Sequence, residues 1–265
     1  MKNKTKEEKQ YIASISYGKD SLAMLEAIKI LGLPLDRIIH AEVYATDTIP
    51  GDYPEMVEFK KHADKIIQER YGIEVEHFRS DDTYESVFYK KCTKGKNVGM
   101  IRGFPSKFSN WCLRDLKLAA LKKCEKEASA AIQYIGIAAD ETERLKKQWY
   151  SEENNILPLV QIGWTEDDCY KWCEEHDLLS PSYKKQVRGG CWFCHNQRVD
   201  DLRNLRKDYP GLWNLLLKWD SDNPPQFPFK MNHLTVHDFD KRFAAEDKGF
   251  VPKDRTFRWK QLDAL

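Results

Sequence analysis

The sequence lacks any long apolar run, and its mean hydropathy is −0.69. A helix that crosses a membrane needs about 20 predominantly apolar residues in a row, so we expect no membrane span and no membrane partner. The N-terminal residues MKNKTKEEKQ also lack the apolar stretch of a secretory signal. We therefore expect a cytoplasmic protein.

The chain also lacks an excess of charge. Its 43 Lys and Arg residues nearly balance its 42 Asp and Glu residues, so the formal net charge is only +1. A domain coated with basic residues for nucleic-acid binding would be far more positive. Basic and aromatic residues do mix in three places, namely 146–150 with Trp149, 184–188 before Trp192, and Arg203 with Arg206 and Lys207. We interpret these as charged surface, so a nucleic-acid partner stays open but is not favoured.

Internal repeats and low-complexity tracts are absent, whereas core-forming residues are plentiful. Of the 265 residues, 41% are apolar and 12% aromatic, which is ample for a packed core. The seven cysteines are an odd number in a chain of this size, which indicates free thiols in a reducing compartment rather than a disulfide scaffold. We divide the chain into a flexible leader (1–10), a nucleotide-binding domain (11–197) and a helical C-terminal extension (198–265).

Short β-branched runs alternate with helical patterns along the domain. We predict strands at 11–16, 38–46, 73–78 and 132–137 and a strand or extended stretch at 156–160. Helices are predicted from Leu22 to Gly32 and at 55–71, 84–91, 113–130 and 165–176, and the tail after residue 198 is helical. This alternation predicts an α/β fold with a parallel sheet covered by helices on both faces.

The first motif with chemical meaning lies between the first strand and the first helix. It reads Ser16-Tyr17-Gly18-Lys19-Asp20-Ser21, and we name it loop 16–21. A helix N-terminus presents unpaired N–H groups and a positive dipole end to an anion. Lys19 adds a charge, the serine hydroxyls can donate to phosphate, and Asp20 could orient a donor or help to hold Mg²⁺. The alternative is an ordinary strand–helix turn, and the six residues alone do not decide between the two.

The second motif is a pair of cysteines. Cys191 and Cys194 form a CxxC sequence followed by His195. Two thiolates at this spacing can chelate one metal ion or cap a cluster, because a tight turn directs both sulfurs inward. The alternative is a pair of reduced cysteines in a packed Trp/Phe pocket, and we rank metal or cluster binding above it. We interpret four others as structural, namely Cys92, Cys124, Cys169 and Cys173.

Loop 16–21 resembles the SGGKDS pyrophosphate loop of the PP-loop ATP pyrophosphatases, in particular that of the phosphoadenosine-phosphosulfate (PAPS) reductase branch. Further segments resemble this family in the family's own order across residues 11–197. They are Asp47-Thr48 with Tyr53-Pro54-Glu55, Trp111-Cys112 with Leu116-Lys117, Gly136-Ile137 with Asp140-Glu141-Thr142, Pro158-Leu159 with Trp164-Thr165, and Tyr183 with Gly190-Cys191 and Cys194. Each segment alone is weak, but the ordered set is specific.

The resemblance implies a Rossmann-like sheet of the adenine nucleotide α-hydrolase type that binds ATP with Mg²⁺. The family would place the phosphates on loop 16–21 and the adenosine near a second set, comprising Asp47, Thr48, Gly136, Ile137 and Asp140. The residues that it implies for catalysis are Lys19, Asp20, Asp140 and Arg144.

The resemblance also brings Cys112 to the CxxC pair. In iron–sulfur relatives two adjacent cysteines and a CxxC hold a [4Fe–4S] cluster, but this chain has Trp111 at the first of those positions. Cys112, Cys191 and Cys194 would then hold a cluster with one open iron. Alternatively, His195 would complete a Cys₃His zinc site.

Three departures from the family pattern direct the functional prediction. The sulfonucleotide reductases end in a Glu-Cys-Gly-x-His segment with a nucleophilic cysteine, which this chain does not have. Ala138 stands at a family arginine, for which Arg144 could substitute, and Tyr17 stands at the second loop glycine. We therefore predict an ATP-dependent adenylating sulfurtransferase, with a sulfur donor or thiol reductant as partner and a homodimer as an option. The alternatives are a PAPS or adenosine phosphosulfate reductase and a regulatory or defence module that binds adenylates without turnover.

Overall fold

The structure is a computed structural model that describes residues 9–106, 109–125, 131–146, 154–184, 189–230 and 233–264. Most of the predicted leader and much of the basic segments 146–150 and 184–188 lie outside the described residues. None of the helices in the described ranges is long and apolar enough to cross a membrane.

Five parallel strands form one sheet in the order β3-β2-β1-β4-β5. The strands are β1 (Gln10–Ile15), β2 (Arg37–Glu42), β3 (Val75–Arg79), β4 (Ala131–Tyr134) and β5 (Asn155–Ile156). Ile12 of the central strand lies opposite Arg37 on one side and Gln133 on the other. Ile12 and Ala13 point to opposite faces and both are fully buried, which is the pattern of a parallel strand covered on both sides. The predicted α/β fold is confirmed.

Helices surround the sheet and form the tail. They are α1 (Lys19–Ile30), α2 (Pro54–Tyr71), α3 (Tyr84–Tyr89), α4 (Ala119–Glu125), α5 (Thr142–Leu145), α6 (Pro158–Ile162), α7 (Glu166–Glu175), α8 (Pro181–Lys184), α9 (Val199–Asp208), α10 (Pro210–Asp222) and α11 (Val236–Asp247). Local chemistry explains several boundaries. Pro54 begins α2 and Gly72 ends it at φ 70°, while Thr165 and Asp168 cap the start of α7 reciprocally.

Two predicted elements differ in the structure. The extended stretch at 156–160 is wrong beyond Ile156, because Pro158 begins α6 and Gly163 ends it at φ 74°. A short apolar run suits either a buried strand or a buried helix, and here the flanking proline and glycine favour the helix. The predicted helix at 113–130 begins with a π-helical turn, Leu113–Leu118, before α4. Residues 126–130 of that prediction lie outside the described ranges.

Two hydrophobic clusters make up most of the core. One joins β1 to α1 and α7 beneath the sheet, with Leu22, Leu25 and Cys173 fully or almost fully buried. The other is rich in aromatic residues and joins Trp111 and Trp192 to Trp219 of α10. The C-terminal helices therefore share a core with the CxxC segment, while the division of the chain at residues 197 and 198 stays a prediction.

Candidate functional site

A large cavity lies at the carboxyl ends of β1 and β2, which is the edge where open parallel sheets bind ligands. Its volume is about 550 Å³. Loop 16–21 contributes Ser16, Tyr17 and Gly18 to its wall. The polar residues that complete the wall include His40, Asp52, Lys60, Lys117, Ser180, Ser182 and Tyr183. The cavity therefore combines a helix N-terminus with two lysines, which suits an anionic ligand.

Loop 16–21 is closed by its own hydrogen bonds. The Ser21 hydroxyl accepts the Ser16 N–H at 3.1 Å and donates to the Gly18 carbonyl at 2.9 Å. The Lys19 N–H donates to the Tyr183 hydroxyl at 3.3 Å. The predicted phosphate donor Ser21 is thus engaged within the loop, which holds the first turn of α1 in a fixed conformation.

Tyr17 occupies a backbone conformation that normally favours glycine. Its φ is 57°, and a non-glycine residue in the left-handed region costs about 1 kcal/mol or more. The side chain is buried, lies edge-on to the His40 ring at 4.8 Å, and donates a hydrogen bond from its hydroxyl to Asp64. Burial of the aromatic ring contributes about 2 kcal/mol, which offsets this strain.

Lys19 and Asp20 form a separate ionic group. The Lys19 ammonium lies 2.7 Å from Asp20 and 2.9 Å from Glu166 of α7. Burial alone would lower the pKa of Lys19, but the hydrogen bonds to these two carboxylates raise it above its usual range. Burial raises the pKa of Asp20. Neither side chain is among the described residues that line the large cavity, so as positioned they clamp α1 to α7.

Lys60 and Lys117 are cations in the cavity wall to which the sequence analysis assigned no role, although Lys117 belongs to a segment that resembles the family. The buried Lys60 ammonium lies 2.8 Å from His40 Nε2 and also pairs with Asp52. The other nitrogen of that ring, Nδ1, lies 2.8 Å from the Ile15 carbonyl, to which it donates. Burial and the adjacent Lys60 charge lower the pKa of His40 to about 3. His40 is therefore a neutral acceptor that holds the Lys60 ammonium, and no motif marked either residue.

The predicted adenosine and catalytic residues lie mostly outside this cavity. Asp47, Thr48, Asp140 and Arg144 are exposed, and none is among the described residues of its wall. Asp140 accepts the N–H of Glu166 at 3.0 Å, and Arg144 pairs with Glu141. Asp140 is therefore linked to loop 16–21 through Glu166, which pairs with Lys19.

Gly136 and Ile137 lie beside the start of α1, and Ile137 is fully buried. A Cβ atom on Gly136 would stand 2.9 Å from the Asp20 carbonyl oxygen and 3.0 Å from Ser21 Cα. Only glycine allows the backbone of the β4 end to come this close to the loop. Gly136 therefore determines the position of loop 16–21 through packing.

A second cavity of about 210 Å³ contains all the predicted metal ligands. Cys112, Cys191, Cys194 and His195 line it. Cys112 lies at the start of the π-helical turn, while the Cys194 N–H donates to the Cys191 carbonyl at 3.1 Å and closes a tight turn. The structure thus places Cys112, which is distant in sequence, in the wall of the same cavity as the CxxC pair. We name this space the cysteine pocket.

Two thiols of the cysteine pocket, those of Cys191 and Cys112, have raised pKa values that favour their neutral form. Burial raises the pKa of Cys191 to about 12, and burial together with the neighbouring Cys194 raises that of Cys112 to about 11. Among the described residues, no three His, Cys, Asp or Glu side chains converge closely enough for one metal ion. The described side chains therefore do not converge as the predicted Cys₃His zinc site, and the cluster remains what the family resemblance implies.

The two cavities share a wall. Lys117 and Cys191 line both of them, together with Val43, Leu113, Gly189 and Gly190. The wall includes the π-helical turn, and such turns are frequent at functional sites. A ligand on loop 16–21 and a group bound by the cysteines would be neighbours across this wall.

The basic and aromatic residues of the tail are occupied within the protein. Arg203 pairs with Glu246, and Arg206 pairs with Asp240 and Asp247 of α11. Trp192 is fully buried. It cannot stack on a base in this conformation, which agrees with the interpretation of charged surface.

Comparisons with known proteins leave the family open. No family model and no curated protein matches the sequence. A solved structure that it resembles is the U34-tRNA thiolase NcsA from Methanococcus maripaludis with its [4Fe-4S] cluster. The identity is 17%, the TM-score is 0.38, and the match covers 80% of this chain and 70% of that chain. The α/β fold is therefore assigned from the parallel sheet of this chain itself. The candidate site is assigned from its two adjoining cavities.

Proposed function

We propose that this chain is an ATP-pyrophosphatase-type enzyme that adenylates a substrate and then transfers sulfur to it. The observation that carries the proposal is the shared wall of the two cavities. The anion-binding cavity and the three-cysteine pocket adjoin at Lys117 and Cys191. This arrangement suits a reaction in which a substrate is first adenylated and is then attacked by sulfur at the adenylated carbon. The PAPS reductase branch in particular rests only on the resemblance of the motifs.

In the adenylation step, a substrate oxygen would attack the α-phosphorus of ATP. The new bond joins that oxygen to phosphorus, and the bond to the β-phosphate oxygen breaks, so pyrophosphate leaves. The start of α1 and the ammonium groups of Lys60 and Lys117 would stabilise the negative charge on the phosphates. The neutral His40 ring carries no charge that would compensate the Lys60 ammonium. Asp52 is the carboxylate that pairs with this ammonium.

In the sulfur step, a deprotonated sulfur would attack the adenylated carbon, and AMP would leave with the oxygen. A [4Fe–4S] cluster on Cys112, Cys191 and Cys194 would supply an open iron at which the incoming sulfur can be held. The fit is supported by a buried hydroxyl without a partner, that of Tyr84, in the pocket wall.

The products formed from ATP test the proposal. Anaerobically purified protein should bind Mg·ATP and slowly release AMP and pyrophosphate, and it should contain iron and acid-labile sulfide. Release of ADP and phosphate instead would contradict the pyrophosphatase chemistry. Tight binding with no product, even in a cell extract that supplies acceptors, would favour the adenylate-binding module.

Lys117 offers a matched pair of variants for the nucleotide site. Lys117→Ala should weaken ATP binding about tenfold, because a charge-assisted contact to phosphate is worth about 1.5 kcal/mol. Lys122→Ala removes another exposed lysine, which lies five residues further along the chain and outside both cavities, and should leave the affinity unchanged. Titration calorimetry measures both, and equal affinities in the two variants would remove Lys117 from the proposed site.

A further inference from the structure

Tyr84 is held rigidly in the wall of the cysteine pocket. It is the first residue of α3, whose start is capped by Thr83 and Ser86, and its N–H donates to the Tyr44 carbonyl at 2.8 Å. Its ring packs between Phe193 at 4.1 Å and Trp111 at 4.9 Å, measured between ring centroids. A side chain locked by this packing has a fixed direction for its hydroxyl.

The Tyr84 hydroxyl has no hydrogen-bond partner among the described residues. The side chain is only 1% exposed. A buried hydroxyl without a partner is costly, and phenylalanine would fill the same aromatic packing without that cost. The three thiols do not serve as partners either, although Cys112, Cys191, Cys194 and Tyr84 line the same cavity. Tyr84 and the three cysteines thus line one cavity, and the unpartnered hydroxyl belongs to a residue of its wall.

We propose that the Tyr84 hydroxyl donates a hydrogen bond to a sulfur atom of the iron–sulfur cluster held by Cys112, Cys191 and Cys194. The inference rests on the proposed function, because it requires the cluster. Hydrogen bonds to cluster sulfurs stabilise the reduced state, which carries more negative charge, and so raise the reduction potential. Tyr84 would thus raise the reduction potential of the cluster. Its hydrogen bond would hold the cluster against the aromatic side of the pocket.

Tyr84→Phe tests this inference in anaerobically reconstituted protein. The variant keeps the ring and loses the hydroxyl, so we expect a lower reduction potential in a spectroscopic redox titration. A tenfold change in the ratio of reduced to oxidised cluster corresponds to about 59 mV for a one-electron couple. Without the cluster, the variant should unfold at a higher urea concentration than the wild type, because a buried unpaired group has been removed.

Tyr89→Phe is the matched control on the same helix. The Tyr89 hydroxyl donates to Asp222 at the surface, so its loss should leave the potential of the cluster unchanged. An unchanged potential in Tyr84→Phe, at the same iron content as the wild type, would overturn the inference about Tyr84 alone. Absence of iron and sulfide from the wild type would overturn it together with the sulfur step, whereas release of AMP and pyrophosphate would still support the adenylation step.

Discussion

Loop 16–21 and the cysteine pocket adjoin at one edge of the sheet, yet they satisfy their polar groups in opposite ways. In the loop, Ser21 bonds to both Ser16 and Gly18, and Tyr183 accepts the Lys19 N–H. In the pocket, the Tyr84 hydroxyl has no partner among the described residues, and the buried Cys191 thiol is held neutral. The loop is complete without a ligand, whereas the pocket has the features of a site completed by one.

The difference follows from how each region is built. The residues of the loop are within five positions of one another, so their hydrogen bonds form with little loss of chain entropy. The pocket joins α3, the π-helical turn, the CxxC segment and the aromatic core of the tail. Burial in that core raises the free energy of a thiolate unless a metal compensates its charge.

The largest effect that we expect is on the pocket alone. Cys191→Ala removes a proposed ligand and should reduce bound iron at least tenfold, because loss of one of three thiolates destroys the site. ATP binding should fall much less, because Cys191 also lines the nucleotide cavity but loop 16–21, Lys60 and Lys117 stay in place. Iron analysis and titration calorimetry on the same sample measure both quantities.

Cys92→Ser is the control for that variant, because Cys92 is half-buried and lies outside both cavities. It should bind as much iron as the wild type. Equal iron content in Cys191→Ala and Cys92→Ser would show that the pocket needs no completion by metal, and the contrast between the two regions would fail.

A smaller effect should follow from crowding the loop. Gly136→Ala places a methyl group within 3.1 Å of the Asp20 and Ser21 backbone. Overpacking against a rigid backbone costs about 2 kcal/mol, so the urea midpoint should fall, and ATP affinity with it. Gly211→Ala, where a Cβ meets nothing within 4 Å, should be neutral or slightly stabilising in helix α10. If both variants unfold alike, dense packing does not hold the loop.

The two regions also differ in how far sequence patterns predict them. Alternating strands and helices predicted the sheet, and the loop lies where its local sequence places it, between β1 and α1. The grouping of Cys112 with the CxxC pair came only from a family resemblance, since its spacing carries no local signal. Lys60 and Tyr84 were missed, and Lys117 was noted only as part of a family-like segment and given no role, because a helix position becomes part of a site only through tertiary packing. The extended stretch at 156–160 was assigned wrongly for a different reason. A short apolar run alone does not distinguish a helix such as α6 from a strand.

The smallest effect tests the support beneath the loop. Hydrogen bonds to Asp64 and Glu42 raise the pKa of His77 to about 9, and the same Asp64 accepts from the Tyr17 hydroxyl. Below pH 6.5 the histidine is charged in both folded and unfolded protein, so its ion pairs stabilise the fold fully. Between pH 6.5 and about 9 only the folded state retains the proton, so the free energy of unfolding should fall as pH rises.

Because His77 and both its partners are partly exposed, we expect this fall to be about 1 kcal/mol, and urea unfolding across that range measures it. His77→Gln should flatten the slope, whereas the exposed His62→Gln should not. Cys191→Ala should retain the wild-type slope in metal-free protein, because neither partner of His77 lines the cysteine pocket. A changed pH dependence of the unfolding free energy in Cys191→Ala would mean that the two regions are coupled through the wall they share. A pH dependence unaffected by His77→Gln would mean that the loop does not depend on the ionic network beneath Tyr17.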